Sequence, residues 1–188
     1  MTITARIDSD FKNLETYFQR LFVLHDELVQ QERLFPIVAY DIDAEESQAE
    51  HFYASHLIKP DMIIGLSSCF EFWIQKICDF HRLKNNLALS YKDIRGKHDL
   101  HTYHKYLTLV AELNLDAVQS SYRRLNDLRK VRNVLVHNGG HVSEEKEHEF
   151  SQIEGISVAG TLVISDEFVR DLLTHAKCFA VYAAKPTS

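Results

Sequence analysis

The sequence predicts an all-α fold, a helical bundle with a small β-hairpin before its C-terminal helix. Apolar residues recur at helical spacing over most of the chain, and only one short stretch has the paired β-branched runs of a hairpin. The 188 residues include only six Gly and three Pro, so few positions interrupt a helix. The length and the 45% hydrophobic content fit a single domain over residues 1–188.

The first element is predicted to be a long core helix over residues 8–32, with Asp8 or Ser9 as its N-cap. Its apolar residues at helical spacing are Phe11, Leu14, Phe18, Leu21, Phe22, Leu24 and Leu28. Pro36 is expected to end this helix, and residues 37–44 are expected to form a loop.

A second helix is predicted to begin near residue 44 and to reach Lys59, after which Pro60 marks either a kink or a new first turn. The chain beyond Pro60 predicts the most apolar helix of the protein. Its stripe consists of Ile63, Leu66, Phe70, Trp73, Ile77 and Phe80. Glu71 and Asp79 stand beside this stripe as exceptions. Both carboxylates are expected to face water unless Glu71 pairs with a cation of another helix.

The middle of the chain is predicted to be a connection followed by further helix. Residues 84–99 are interpreted as the connection, with one short helix around residues 91–95. A helical stripe then resumes with Leu100, Tyr103, Leu107, Val110 and Leu113. Asn114 closes this stretch, and Asp116 is expected to cap the helix that follows.

The following helix, over residues 125–137, carries the strongest functional signal. At about 100° per residue its apolar side chains fall within one arc of about 100°, the width of a buried face. These side chains are Leu125, Leu128, Leu135 and Val136. Arg132 falls inside the same arc. Because a guanidinium is always charged, this position requires an ion-pair partner, for which Glu71 is the leading candidate, or a cleft onto which the stripe opens.

Polar side chains lie along one flank of this helix and are Asn126, Arg129, Asn133 and His137. Asn133 and His137 are one turn apart. His137 sits in the last turn, before Gly139 and Gly140, which are predicted to stop the helix. A helix C-terminus carries partial negative charge and favours the protonated imidazole, so His137 is a candidate proton donor near neutral pH.

The C-terminal part of the chain predicts a short β element and a closing helix. Residues 144–149 are strongly acidic, which indicates a solvated face. Residues 156–164 have β-branched residues on both sides of Gly160, which predicts a two-stranded hairpin. Ser165 is expected to cap a final helix. Its apolar face consists of Phe168, Val169, Leu172, Leu173, Ala176 and Phe179.

The net charge of the chain limits the kinds of partner that it can bind. The formal net charge of −6 repels nucleic acid overall, so binding of RNA or DNA requires a local basic patch. One stretch fits such a patch, or simply a solvated basic face, and consists of Arg123, Arg124, Arg129, Lys130 and Arg132. The sequence has no signal-peptide core and no apolar run of membrane length, which predicts a cytoplasmic protein without a membrane partner.

The cysteines and histidines predict no metal site. Cys69, Cys78 and Cys178 form no close pair and are expected to be buried free thiols. The best local candidate among the eleven histidines is the i, i+3, i+6 series of His98, His101 and His104. No carboxylate or thiol completes a ligand set there, and lysines flank the series. We therefore expect neither a metal nor a cofactor, and we interpret these histidines as solvated loop residues.

The hexapeptide RNVLVH over residues 132–137 resembles the motif of HEPN domains, in which an Arg precedes a His by a short spacer late in a long helix. The polar residue that usually follows the Arg is present as Asn133. The wider pattern is also similar, with long helices before the motif, a Gly-Gly stop after it and a terminal helix to close the bundle. The correspondence residue by residue is confined to positions 132–137.

The resemblance implies a metal-independent endoribonuclease that acts as a dimer, often as a toxin or an antiviral effector. RNA supplies its own nucleophile, the 2′-hydroxyl, so cleavage requires an acid/base group and a charge stabiliser. In this interpretation His137 transfers the proton, Arg132 holds the phosphate, and Asn133 orients His137 or contacts the phosphate. Arg129 and Lys130 are the candidate RNA-binding residues beside them.

The spacing of the motif predicts a homodimer. Arg132 and His137 lie about 140° apart around an unbroken helix, so one helix presents them on different faces. A substrate held where two copies of this helix meet could reach both residues. We therefore predict a C2 homodimer in which the two motifs face each other.

Two further expectations concern partners. Some HEPN toxins carry a Tyr two residues after the His, which a partner antitoxin modifies. Here that position is Gly139, so a cognate antitoxin or regulatory protein is expected to occlude the cleft instead. The alternative function is a non-catalytic HEPN-like module for dimerisation or partner binding, in which Arg132 pairs with a buried carboxylate and His137 caps the helix end.

Overall fold

The computed structural model describes residues 2–34 and 55–186, and all structural statements below concern these residues. They form an all-α bundle with one small hairpin, which confirms the predicted fold class. The α-helices are α1 (Ile3–Leu34), α2 (Ser55–Lys84), α3 (Asp99–Lys105), α4 (Gln119–Asn138), α5 (Glu144–Ser151) and α6 (Asp166–Ala183). The hairpin consists of the strands β1 (Ile156–Ala159) and β2 (Thr161–Ile164). No helix in the two described ranges is long and apolar enough to span a membrane.

The four longest helices enclose the core. Helices α2 and α6 contact one another, and each of them also contacts α1 and α4. Large side chains at the centre are fully buried and include Phe11, Met62, Leu66, Leu125, Phe168 and Phe179. Burial of an apolar side chain of this size contributes about 1.5–3 kcal/mol relative to leaving it exposed. This shared core fixes α4 against α2 and α6, and thereby fixes the RNVLVH motif.

Helix α1 begins ahead of the predicted N-cap residues, Asp8 and Ser9, which lie inside it. Ile7 is fully buried, so the apolar stripe extends by a further turn toward the N-terminus. The Thr2 hydroxyl accepts a hydrogen bond from the Ala5 N–H at 3.3 Å and so supplies the cap. The predicted start of this helix was wrong because the stripe begins earlier than the larger apolar residues suggest.

Pro60 lies inside α2, so the expectation of a new first turn there was wrong. Proline lacks an N–H, and the helix therefore loses one hydrogen bond at this point but continues. The predicted stripe is confirmed, since its members are buried except for the partly buried Phe80. Pro36, the loop over residues 37–44 and the helix start near residue 44 lie outside the described residues.

The connection after α2 contains one short 3₁₀-helix at Tyr91–Asp93, close to the prediction. Helix α3 passes directly into a π-helical turn at Tyr106–Val110. A 3₁₀ turn at Asp116–Val118 precedes α4, so Asp116 does not cap α4 as predicted. The Asn114 side chain instead accepts a hydrogen bond from the Asp116 N–H at 2.8 Å, which forms a local turn ahead of the helix.

The C-terminal elements follow the prediction. Strands β1 and β2 pair antiparallel around Gly160, which occupies the turn with a φ of 72°. Ser165 caps α6, since its hydroxyl accepts a hydrogen bond from the Phe168 N–H at 3.1 Å. Three of the four glutamates of α5 are exposed, as expected of a solvated acidic face, and Glu147 is partly buried.

The three cysteines are free, as predicted, but they differ in burial. Cys78 is buried and Cys69 is partly buried, and burial raises the pKa of both thiols. Cys178 of α6 is exposed, so the expectation that all three thiols are buried was wrong. Its position was misjudged because it falls within an apolar helical pattern whose centre is Ala176 and Phe179.

Candidate functional site

Helix α4 presents a buried face that is rotated from the predicted arc. The buried side chains are Ser121, Leu125, Leu128, Val131 and Val134. Val136 was predicted to be buried but is 44% exposed, because none of residues 136–139 packs into the core. Arg132 is partly buried and lies toward one edge of the buried face.

A cleft of about 250 Å³ lies between α2, α3 and α4, and Arg132 forms part of its wall. The residues that line it are Ser67, Phe70, Glu71 and Ile74 from α2; His98, Asp99, Leu100 and Tyr103 at α3; and Leu125, Leu128, Arg129, Arg132 and Asn133 from α4. Three sequence-predicted site residues, Arg129, Arg132 and Asn133, therefore meet in one cleft. Lys130 and His137 do not line it.

Arg132 has no ion-pair partner within the described residues. Its Nη1 donates a hydrogen bond to the Asn133 side-chain oxygen at 3.3 Å, and no carboxylate oxygen of residues 2–34 or 55–186 lies within 4.0 Å of its guanidinium. The expected Glu71 pair was wrong, because Glu71 accepts hydrogen bonds from the Tyr103 hydroxyl and the Gln75 amide, each at 3.4 Å. The charge of Arg132 is thus directed into the cleft and remains available to an anion.

The cations of α4 divide into paired and unpaired groups. Arg124 Nε donates to Asp171 of α6 at 2.7 Å, and Lys130 Nζ donates to Glu149 of α5 at 2.6 Å. Hydrogen bonding and the charge of Lys130 lower the pKa of Glu149, so this pair is ionised at neutral pH. Among the described residues, Arg129 donates only to the neutral Asn126 amide, at 3.1 Å. The free positive charge on the cleft side of α4 therefore comes from Arg129 and Arg132.

His137 is exposed in the last turn of α4, outside the cleft. The helix ends at Asn138, where Gly139 adopts the left-handed conformation with a φ of 58° and donates its N–H to the Val134 carbonyl. Gly140 N–H reaches the same carbonyl at 3.2 Å, as expected of a glycine stop. The two motif residues are thus placed on different surfaces of a single chain, and Arg132 alone enters the cleft.

His98 is a cleft residue that sequence reasoning missed. It is the N-cap of α3, and its Nδ1 accepts a hydrogen bond from the His101 N–H at 3.2 Å. The His101 ring in turn accepts from the Lys97 N–H at 3.0 Å, and the His104 ring contacts the Tyr122 ring at a tilt of 39° with centroids 4.2 Å apart. His101 and His104 lie in α3, so the interpretation of these two as loop residues was wrong, whereas His98 lies just before the helix and is partly buried. No group of side chains suited to a metal ion occurs in the described parts of the chain.

The electrostatic environment of the cleft favours a neutral His98. Burial lowers the pKa of His98, and the positive charge of Arg129 lowers it further. Burial raises the pKa of Tyr103 to about 12, so its hydroxyl stays protonated and donates to Glu71. His98 precedes an acidic residue and an apolar run, which is a helix-start pattern. That pattern is the one sequence signal that marks His98, and it does not reveal that α3 faces α4.

No protein-family model, curated protein or solved structure matches the chain. The fold and the cleft therefore define the class of the protein by themselves. It is a helical-bundle protein whose cleft combines two guanidinium groups, neutral hydrogen-bond donors and the carboxylates of Glu71 and Asp99. The guanidinium groups are suited to the oxygens of a phosphate or a carboxylate anion.

Proposed function

We propose that this protein is a metal-independent endoribonuclease of the HEPN type, which cleaves RNA by attack of the 2′-hydroxyl and works as a homodimer. One observation carries the proposal. The guanidinium of Arg132 lines a cleft, and no carboxylate of the described residues neutralises it. A partly buried charge without a counter-ion opposes folding, which favours retention of Arg132 for a ligand rather than for stability.

The chemistry of the cleft suits a phosphodiester. Arg132 and Arg129 lie one turn apart on α4 and supply planar donors that match phosphate oxygens. Arg132 stabilises the additional negative charge of the pentavalent phosphorus as the 2′-oxygen attacks. The side-chain oxygen of Asn133 accepts a hydrogen bond from Arg132, so the amide NH2 group of Asn133 is left as a further donor. The chain carries a net charge of −6, so this local patch has to provide the attraction for RNA.

The exposed position of His137 supports the dimer in the proposal. The site within one chain has a phosphate binder but lacks the motif histidine, and α4 ends in an exposed turn available to a second copy. In the proposed C2 arrangement, His137 of one copy approaches the cleft of the other and donates the proton to the departing 5′-oxygen. Light scattering that finds only monomers at micromolar concentration would remove this arrangement.

The non-catalytic alternative depends on Arg132 being held by a buried carboxylate. That ion pair is absent in the described residues, so we favour the enzyme. The proposal includes a cytoplasmic location and a role as a toxin or antiviral effector whose cognate partner occludes the cleft. Expression of the wild-type chain in a bacterial host is then expected to arrest growth, and expression of Arg132→Ala is not.

The decisive experiment incubates the purified protein with mixed RNA in EDTA. Wild type is expected to leave 2′,3′-cyclic phosphate and 5′-hydroxyl ends. Arg132→Ala is expected to lower kcat/KM by about 10²–10³-fold and His137→Ala by about 10²–10⁴-fold. Arg123→Ala is the matched control, because Arg123 is an exposed cation of α4 that does not line the cleft. Equal cleavage by all four proteins would show a contaminating nuclease.

A further inference from the structure

The cleft contains a carboxylate whose hydrogen bonding is incomplete. Glu71 of α2 is partly buried, and both of its described hydrogen bonds go to Oε1, from the Tyr103 hydroxyl and from the Gln75 amide, each at 3.4 Å. Oε2 receives no hydrogen bond from the described residues. Because the cleft walls include both Glu71 and Arg132, a phosphodiester bound to Arg132 occupies the same cleft as this carboxylate.

The neighbours of Glu71 hold the carboxylate in place. The Gln75 amide also donates to the Tyr103 oxygen at 2.9 Å, which leaves the Tyr103 hydroxyl proton directed to Glu71. Tyr103 is buried, and burial raises its pKa to about 12, so it remains a donor at any physiological pH. The carboxylate is therefore oriented through Oε1 while Oε2 is left to accept a proton.

We propose that Glu71 is the general base that removes the proton from the 2′-hydroxyl of RNA bound in this cleft, an inference that rests on the proposed ribonuclease function. The other candidates within the cleft are poorer. The His98 Nδ1 lone pair is already occupied by the His101 N–H, which leaves a protonated Nε2 that can only donate. Asp99 is exposed in the first turn of α3, where the helix N-terminus stabilises its charge.

The proposed step balances within the substrate and two side chains. Glu71 takes the proton of the 2′-hydroxyl as the 2′-oxygen forms a bond to phosphorus. The bond from phosphorus to the 5′-oxygen breaks, and the 5′-oxygen takes a proton from His137. The products are a 2′,3′-cyclic phosphate, a 5′-hydroxyl, a protonated Glu71 and a deprotonated His137. Glu71 then returns its proton to solvent, and His137 takes one up from solvent. Glu71 thus shares a chain with Arg132, whereas His137 comes from the second copy.

The experiment distinguishes the role of the general base from that of the general acid by changing the leaving group of the substrate. A nucleoside 3′-(4-nitrophenyl phosphate) needs removal of the 2′-proton but no acid, because nitrophenolate leaves unprotonated. Glu71→Gln, which keeps an oxygen for Tyr103, is expected to lower kcat by about 100-fold on both this ester and RNA. His137→Ala is expected to lose RNA cleavage but to stay within about threefold of wild type on the ester.

Two further variants control for position. Asp99→Asn removes the other carboxylate of the cleft and is expected to keep kcat within about threefold of wild type. Tyr103→Phe removes a hydrogen bond to the carboxylate, so the acid limb of its pH–rate profile is expected to lie at higher pH than in wild type. Glu71→Gln removes the carboxylate and is expected to lose this acid limb altogether. The charged and titratable groups around Glu71 in this test are Arg129, Arg132, His98, Asp99, Tyr103 and Tyr91.

The outcomes distinguish the two proposals. If Arg132→Ala is inactive while Glu71→Gln matches wild type on both substrates, the ribonuclease stands and Glu71 is not its base. Loss of activity in Asp99→Asn instead of Glu71→Gln would also overturn the assignment. If wild-type protein cleaves neither substrate, both proposals fail. A thermal melt of each variant identifies loss of fold. If Glu71→Gln does not fold, the shift of the acid limb in Tyr103→Phe decides whether Glu71 is the base, and an unshifted limb would overturn the assignment.

Discussion

Replacement of Arg132 by methionine is expected to leave the protein as stable as wild type or more stable by about 0.5–1 kcal/mol. Arg132 donates one long hydrogen bond to the adjacent Asn133 and makes no ion pair within the described residues. Its removal relieves a partly desolvated charge and the repulsion from Arg129 one turn away, which is worth about 0.2–0.5 kcal/mol. Methionine retains apolar contact at the edge of the buried face. The loss of the Asn133 hydrogen bond offsets part of this gain.

Arg124→Met is the matched control, because Arg124 lies on the same helix and is paired. Its side chain is 17% exposed and bonds to Asp171 at 2.7 Å and to Asp127 at 3.3 Å. Removal of one member of a fully buried pair costs about 3–5 kcal/mol, and solvent screening at this partly exposed pair reduces the expected loss to about 1–2 kcal/mol. Arg124→Met should therefore be clearly destabilised.

The assay is urea denaturation at neutral pH, supported by thermal melts, in which about 1 kcal/mol moves the Tm by about 2–4 °C for a chain of this size. If Arg132→Met loses as much stability as Arg124→Met, Arg132 is a structural residue. The argument that its charge is kept for a ligand would then be refuted.

Three further predictions concern stability and are tested by the same denaturation experiments. Ser165→Ala removes the cap of α6 and is expected to destabilise by about 1 kcal/mol, whereas Ser165→Thr should lose much less. Gly155→Ala is expected to destabilise by at least about 2 kcal/mol, because φ is +84° and the new Cβ would lie 2.8 Å from the Phe168 Cβ; near-wild-type stability would contradict the described backbone. Burial lowers the pKa of His81, so the unfolded chain binds its proton first and stability should fall as the pH drops below 6.5. In His81→Leu the slope of the free energy of unfolding against pH should decrease by an amount that corresponds to up to about one bound proton. An unchanged slope would show that His81 is not responsible for it.

Local signals predicted the elements well where one residue type has one physical role. Ser165 was identified as a cap from its position before an apolar run, and Gly160 marked the turn of the hairpin because it adopts a positive φ. The apolar stripes of α2 and α6 were confirmed because burial and helical spacing act together there. The start of α1 and the burial of Cys178 were missed, since a stripe does not show where packing neighbours begin or end.

The site was predicted only in part. A wheel of α4 identified Arg132 as an unusual charge, but it placed Val136 in the core because it cannot show that the helix extends past its neighbours. The cleft brings together residues 67–74, 98–103 and 125–133, which are distant in sequence. Because the sequence does not show which residues meet there, it suggested Glu71 as a counter-ion of Arg132. In the structure, the Tyr103 hydroxyl and the Gln75 amide donate to Oε1 of Glu71 instead.

The central claim is that an active site combines the cleft of one copy, with Arg132, and His137 of another. The most direct measurement mixes inactive Arg132→Ala with inactive His137→Ala under conditions in which subunits exchange. Half of the dimers are then mixed, and each mixed dimer has one complete site, so the account predicts recovery of about a quarter of wild-type RNA cleavage. Mixing that restores no activity, with subunit exchange demonstrated, would contradict the claim.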